Sequence, residues 1–130
     1  MKRILGNSSE RIFPVLRIVA GGLFACHGGQ KLFGAFGGKT ELNDPLGLAA
    51  GIIEFGAGLL ITVGLFTRVA AFLASGEMAV AYFKAHASRA FWPIMNHGEL
   101  AVLYCFLFLY IAAHGPGRWS LDSVMGKSRR

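Results

Sequence analysis

The residues of this chain that could do chemistry lie within apolar stretches. The first of these, residues 17–38, is also rich in glycine, and three later stretches each carry one glutamate. The polar candidates are Arg17, His27, Gln30, Lys31, Glu54, Glu77 and Glu99. Such groups are costly inside a bilayer unless they are paired, whereas an imidazole, an amine and carboxylates that face one another can bind a polar group or carry protons. The sequence therefore predicts one polar cluster.

Counting residues along each apolar stretch gives the depth of the cluster. With a rise of ~1.5 Å per helical residue, His27, Glu54 and Glu77 fall at a common depth of ~10 to 15 Å below the outer surface. The candidates closer to that surface are Gln30, Lys31 and Glu99. Arg17 is the deepest, and its long side chain can either snorkel or reach inward.

Two interpretations of the cluster remain open. In the structural one, the carboxylates pair with basic groups and fix the register of the helices. In the functional one, which intramembrane ionisable residues favour, they line a cavity for a polar head group or carry protons. Glu54 and Glu77 are the proton-carrying candidates, and no residue is assigned as catalytic. Glu99, near a helix start, fits either interpretation, because it would also favour the positive end of its helix.

The composition predicts that membrane-spanning helices position these residues. Of the 130 residues, 54% are hydrophobic and only 15% are charged, and the mean hydropathy is +0.51. We predict one domain, residues 1–130, that is all-α: an integral membrane four-helix bundle. Its spans are residues 12–34, 46–65, 69–87 and 97–114, and the second begins with Asp44 as cap and Pro45 at the first helical position. A soluble bundle is the alternative, but the apolar residues do not stay on one face.

The basic residues predict the orientation. The net charge is +6, yet these residues lie mainly at the chain ends and between apolar runs, which is not a nucleic-acid-binding pattern. Eight fall on the side of the termini: Lys2, Arg3, Arg11, Arg68, Arg118, Lys127, Arg129 and Arg130. Four fall on the other: Lys31, Lys39, Lys84 and Arg89. We therefore predict that the N and C termini are cytoplasmic.

The sequence predicts no metal site and no cofactor in the chain itself. Cys26 and Cys105 lie in different apolar runs and form no metal-type spacing, and no Glu-x-x-His or His-x-x-x-His pair occurs. The paired glycines lack the strand and helix context of a phosphate loop. Electrons for any redox reaction must therefore come from a partner.

Taken together, the motifs resemble the DoxX family of small bacterial membrane proteins, over nearly the whole chain. They are Arg17, His27-Gly28-x-x-Lys31-Leu32-Phe33-Gly34, Glu54-x-x-x-Gly58, Gly64-Leu65-x-Thr67-Arg68, Asn96-x-Gly98-Glu99-Leu100 and Gly115-Pro116-Gly117-x-x-Ser120-Leu121-Asp122. The family-pattern residues among the candidates are Arg17, His27, Lys31, Glu54 and Glu99.

The resemblance implies a multi-pass protein of the bacterial inner membrane associated with redox chemistry. We expect a subunit of a redox complex that binds a quinone-like or other small amphipathic ligand in a polar pocket in the outer half of the bundle. His27 and Lys31 would contact a carbonyl, and Glu54 and Glu77 would pass protons. The partners would be membrane lipids and a redox protein in the membrane or periplasm. At most, the chain is a non-catalytic or quinone-binding subunit of an oxidoreductase.

Two alternatives stay open beside this expectation. One is a scaffold or assembly subunit of a larger membrane complex, in which the polar cluster only specifies helix pairing. The other is a small transporter, which four spans would form only as a homo-oligomer.

Overall fold

All regular secondary structure in the described part of the chain is helical. The computed structural model describes residues 2–6 and 8–128. The helices there are α1 (Lys2–Leu5), α2 (Ser9–Phe33), α3 (Pro45–Val63), α4 (Thr67–Ala81), α5 (Pro93–Asn96), α6 (Glu99–His114) and α7 (Leu121–Ser128). A 3₁₀ turn, Ala35–Gly37, follows α2, and a π-helical turn, Tyr82–His86, extends α4.

The four long helices α2, α3, α4 and α6 form a bundle. The pairs in contact are α2 with α3, α4 with α6, and α3 with α4. The bundle closes where Phe24 of α2 packs against Tyr104 and Phe108 of α6, with ring centroids 5.5 and 4.7 Å apart. Small buried residues of α4, such as Ala71 and Ala74, let α6 approach closely. The all-α bundle expected from the sequence is thus confirmed.

The second long helix begins as its sequence predicts. The Asp44 carboxylate accepts hydrogen bonds from the backbone N–H groups of Leu46 and Gly47 at 3.3 and 3.1 Å, and Pro45 is the first helical residue. These bonds satisfy N–H groups that have no partner within the helix. At the other end Gly64 adopts a left-handed conformation, with φ of 71°, that lets the chain reverse into α4.

The helices α2, α3 and α6 begin and end within three residues of the predicted bounds, whereas α4 ends six residues early, at Ala81, and the π-helical turn continues to His86. Only some of the helices have the length and composition of a membrane span. Ser9–Phe33 and Pro45–Val63 are long and apolar enough to cross a membrane, and Glu99–His114 is apolar but has only 16 residues. Large apolar side chains cover the outside of the bundle, among them Phe72, Leu103 and Phe106. A helical membrane protein accounts for this surface, because a water-exposed bundle would expose polar groups there.

Asp122, in the first turn of α7, joins that helix to the connection between α3 and α4. The Asp122 carboxylate accepts hydrogen bonds from the N–H of Phe66 and the N–H and hydroxyl of Thr67, at 2.9, 2.9 and 2.8 Å, and so caps α4. The Asp122 N–H donates to the Gly64 carbonyl at 2.8 Å. Burial alone would raise the pKa of Asp122, but these bonds and the charge of Arg17 together lower it below its usual value.

Replacing this cap should destabilise the protein in a pH-dependent way. We expect Asp122→Ala to lower the free energy of unfolding by about 1 to 2 kcal/mol at neutral pH, as for other lost helix caps. Because the pKa of Asp122 is lower in the folded protein, this contribution is present above the ordinary pKa of 3.8 and lost as the pH falls through the folded-state value. Denaturation at pH 7 and at about pH 3 measures the difference.

Glu10 provides the control, since its exposed carboxylate is 3.5 Å from Arg118 at the same end of the bundle. Glu10→Ala should change the free energy of unfolding by no more than a few tenths of a kcal/mol. A cost of Asp122→Ala that is the same at both pH values would contradict the role of the ionised carboxylate.

Candidate functional site

The site is built on an ion pair between α2 and α3. The Lys31 Nζ lies 2.7 Å from the Glu54 Oε1, with 25% of the lysine side chain and 3% of the glutamate side chain exposed. The two helices come close because Gly28, one turn before Lys31, packs against the backbone of Phe55. The pair leaves the second Glu54 oxygen, Oε2, buried and without a hydrogen-bond partner among the described residues. That oxygen can accept a hydrogen bond from a ligand.

A partly open cavity of about 250 Å³, which we call the central cavity, lies beside this pair, between α2, α3, α4 and α6. Its polar lining residues are His27, Lys31, Glu54, His86, His97 and Tyr104. Its apolar lining includes Phe24, Met78 and Leu100. His27 meets Tyr104 edge to face, with ring centroids 6.3 Å apart and ring planes at 86°. An apolar cavity with a few convergent polar groups is the usual form of a small-molecule site.

One buried side-chain amide positions the loop before α6, which lines the cavity. Asn96 is fully buried; its Nδ2 donates to the Ala90 carbonyl at 2.8 Å, and its Oδ1 accepts from the Gly98 N–H at 2.8 Å. The His86 ring is held by its Nδ1, 3.1 Å from the Asn96 carbonyl oxygen. His97 follows in a left-handed conformation, with φ of 59°. The side-chain amide of Asn96 therefore fixes the loop that supplies His97, and the backbone carbonyl of Asn96 orients His86.

Glu77 lies on a neighbouring groove rather than on the central cavity. This groove, of about 650 Å³, runs between α3 and α4 and is lined by Glu77 and Lys31 among others. The Glu77 Oε2 is also buried and has no hydrogen-bond partner among the described residues. The two glutamates thus face two adjoining spaces, and Lys31 lines both.

Arg17, expected to bind the ligand, lies at the opposite end of the bundle and lines neither space. It is fully buried. Its Nη1 donates to the carbonyls of Ile61 and Thr62 at 2.6 and 2.8 Å, and its Nη2 to the carbonyl of Trp119 at 2.8 Å. The last carbonyls of a helix have no partner within it, so a buried arginine is a good donor to them. Its observed contacts hold the ends of the helices together.

Two further expected ligand residues also lie outside the central cavity. Gln30 lines neither space, and its side chain packs against Gly38 in the connection between α2 and α3. Glu99 is exposed in the first turn of α6, where its charge favours the helix N-terminus. The structure therefore brings together His27, Lys31 and Glu54.

Sequence reasoning missed several residues of the cavity. Tyr104 lies in a run without charged residues, which predicts a span but not which face meets the cavity. His86 reaches the cavity through the π-helical turn, which no pattern in the sequence indicates. The spacing Asn96-x-Gly98 is the one available signal for the outer loop. Within residues 2–6 and 8–128, no group of three or more His, Cys, Asp or Glu side chains is arranged to hold a metal ion.

Comparison with known proteins agrees with the family resemblance. Residues 13–87 match the DoxX family model. An uncharacterized protein of Haemophilus influenzae is 45% identical over 132 aligned positions, which cover 93% of this chain and 98% of the relative. The inner membrane protein YqjF of Escherichia coli K12 is 30% identical over 89% of this chain and 88% of its own length. No solved structure matches the chain.

Proposed function

Since the chain belongs to the DoxX family and is a multi-pass protein of the inner membrane, we propose that it binds a quinone-like small amphipathic ligand in the central cavity, as a subunit of a redox complex. The observation that carries the proposal is the buried Lys31–Glu54 pair on the wall of a cavity. An ion pair costs desolvation energy that hydrophobic packing would avoid. Its position beside an open space favours a role in binding.

The polar groups of the cavity fit the oxygens of such a ligand. Lys31 and His27 can donate hydrogen bonds to a carbonyl, and the unpartnered Glu54 Oε2 can accept one from a hydroxyl. A quinone, when bound, exchanges two electrons and two protons. In the proposal Glu54 holds or releases a proton at Oε2, Glu77 does so from the adjoining groove, and the partner protein supplies or removes the electrons.

The topology proposed with this function has four crossings and cytoplasmic termini. Both described ends of the chain, α1 and α7, lie at the end of the bundle opposite the cavity, so the cavity falls in the outer half. The basic residues support this orientation, although Arg129 and Arg130 lie outside the described residues. A ligand there would be accessible to a redox partner in the membrane or periplasm.

The function is tested by neutralising the buried carboxylate. We expect Glu54→Gln to weaken binding of a dimethoxy-methyl-hydroquinone, whose hydroxyl can donate to the Glu54 Oε2, by about 10- to 100-fold. This is the loss of one charge-assisted hydrogen bond in a protein that stays folded, and the probe is kept reduced under anaerobic conditions. Binding is measured by retention on immobilised lipid nanodiscs that contain the purified protein, with empty nanodiscs subtracted. Thermal unfolding of the same samples reports the fold.

Glu99→Gln is the matched control, because Glu99 is an exposed carboxylate that lines neither space, and its variant should bind as the wild type does. Unchanged binding by Glu54→Gln, accompanied by lower abundance or loss of a co-purifying membrane protein, would favour the scaffold function instead. In that case the Lys31–Glu54 pair would fix the register of α2 and α3.

A further inference from the structure

The groove between α3 and α4 has the shape and lining of a site for an apolar chain. Its volume is about 650 Å³, more than twice that of the central cavity. Its walls are formed by apolar side chains, among them Ile53, Phe72, Leu73 and Val80, with Gly76 between them. Phe72, Leu73 and Val80 are largely exposed, so the groove opens sideways toward lipid.

The groove adjoins the central cavity. Lys31, Ala81 and Ala85 line both spaces. Two of these three residues are alanines, so only small side chains separate the two spaces at those points. Lys31 stands at the boundary with its ammonium group on Glu54, and Glu77 lies on the groove side. The other polar residues that line the groove are Glu41, Asp44 and Lys84. The Glu41 N–H donates to the Lys31 carbonyl at 2.8 Å, so Glu41 lies beside the boundary residue, and the remaining walls of the groove are apolar.

This arrangement matches a ligand with a polar ring and a long apolar tail. We infer that the ligand is a membrane-resident amphiphile whose ring occupies the central cavity and whose tail lies in the groove between α3 and α4, so that it enters sideways from the bilayer past Lys31. The inference rests on the proposed function, which assigns the ring to the central cavity. It adds the class of ligand, a long-tailed one, and its route of entry.

One glycine offers a direct way to block the groove. A Cβ atom added at Gly76 meets no heavy atom within 4 Å, and the residue lines the groove. A large side chain there would therefore project into the groove without displacing the backbone. Gly56 is the matched control, because it is exposed, a Cβ added there also meets nothing within 4 Å, and it lines neither space.

The experiment compares two probes on three proteins. The probes are a dimethoxy-methyl-benzoquinone without a tail and the same ring with a decyl tail, and the proteins are the wild type, Gly76→Phe and Gly56→Phe in phosphatidylcholine nanodiscs. We expect Gly76→Phe to weaken binding of the decyl probe by about tenfold or more, since the new ring takes the place of the tail. Binding of the tail-less probe should stay within about twofold of wild type, and Gly56→Phe should match wild type for both probes.

Each other result overturns the inference. Equal binding of the decyl probe by Gly76→Phe and wild type would show that the tail lies elsewhere, and the groove would then hold a bilayer lipid or a partner helix. Equal loss of both probes would show that the substitution acts on the ring site. In either case Glu54→Gln still decides the proposed function separately. Binding of neither probe to the wild type would overturn both.

Discussion

Arg17→Met is expected to lower the free energy of unfolding by about 3 to 5 kcal/mol, the range for removing one partner from a buried network of charge-assisted hydrogen bonds. The guanidinium donates to the last carbonyls of α3 and to the carbonyl of Trp119, in the segment that leads to α7. These acceptors would lose their donor in a place that water does not readily reach. Denaturation of the detergent-solubilised protein measures the change.

Arg17→Lys separates the shape of the donor from its charge. A lysine has one nitrogen and cannot reach the carbonyls on both sides as the planar guanidinium does, so its variant should fall between wild type and Arg17→Met. Arg11→Met is the control, because Arg11 is an exposed arginine of the same helix and should contribute little. A stability of Arg17→Met equal to that of Arg11→Met would contradict the network.

The same variants test where Arg17 acts. Since Arg17 lines neither the cavity nor the groove, Arg17→Lys should bind the tail-less quinone as the wild type does, provided that it is folded. Weaker binding by a folded Arg17→Lys protein would contradict this assignment and support the expectation from the sequence that Arg17 contributes to ligand binding.

The features that could be predicted from the sequence are those that depend on a local pattern of residues. The apolar runs and the cap at Asp44 are each encoded within a few residues. Counting residues along the helices predicts that His27, Glu54 and Glu77 share one depth. His27 and Glu54 do line one cavity, whereas Glu77 lies on the adjoining groove, and Lys31, predicted nearer the surface, reaches Glu54 with its long side chain.

The other features of the site depend on contacts that no sequence pattern indicates. Arg17 binds backbone carbonyls, and every residue has one, so nothing in the sequence identifies its partners. The π-helical turn changes the direction of His86 by altering the helix, without a signature such as proline. Glu99 fits a polar cluster by its type and depth, but the rotation of α6 leaves it on the outside.

The positions of close helix contact could likewise be predicted only in part from the glycines. The spacing Gly47-x-x-x-Gly51 predicts a close approach of two helices. In the structure Gly51 does face Leu32 of α2, but Gly47 faces the side chains of Glu41 and Asp44. The backbones of α2 and α3 approach each other most closely at other glycines, Gly28 and Gly58, on the facing sides of the two helices.

The close approach of these two helices predicts opposite effects for two alanine substitutions on α2. A Cβ added at Gly28 would overlap the backbone of Phe55, which cannot move without separating α2 from α3. We expect Gly28→Ala to lower the free energy of unfolding by about 3 kcal/mol, at the upper end of overpacking costs. At Gly22 an added Cβ meets nothing within 4 Å, so Gly22→Ala should be neutral or stabilise the helix by up to about 1 kcal/mol.

The effect of Gly28→Ala should reach the binding site as well. Lys31 lies one turn after Gly28, and Glu54 precedes Phe55, so a wider gap between the helices pulls the Lys31 Nζ away from the Glu54 Oε1. Binding of the tail-less quinone should therefore weaken in whatever Gly28→Ala protein remains folded, and Gly22→Ala should bind as the wild type does. If Gly28→Ala were as stable as the wild type, α2 and α3 could separate at little cost in free energy. The close approach of the two helices would then not be what holds the Lys31 Nζ on the Glu54 Oε1.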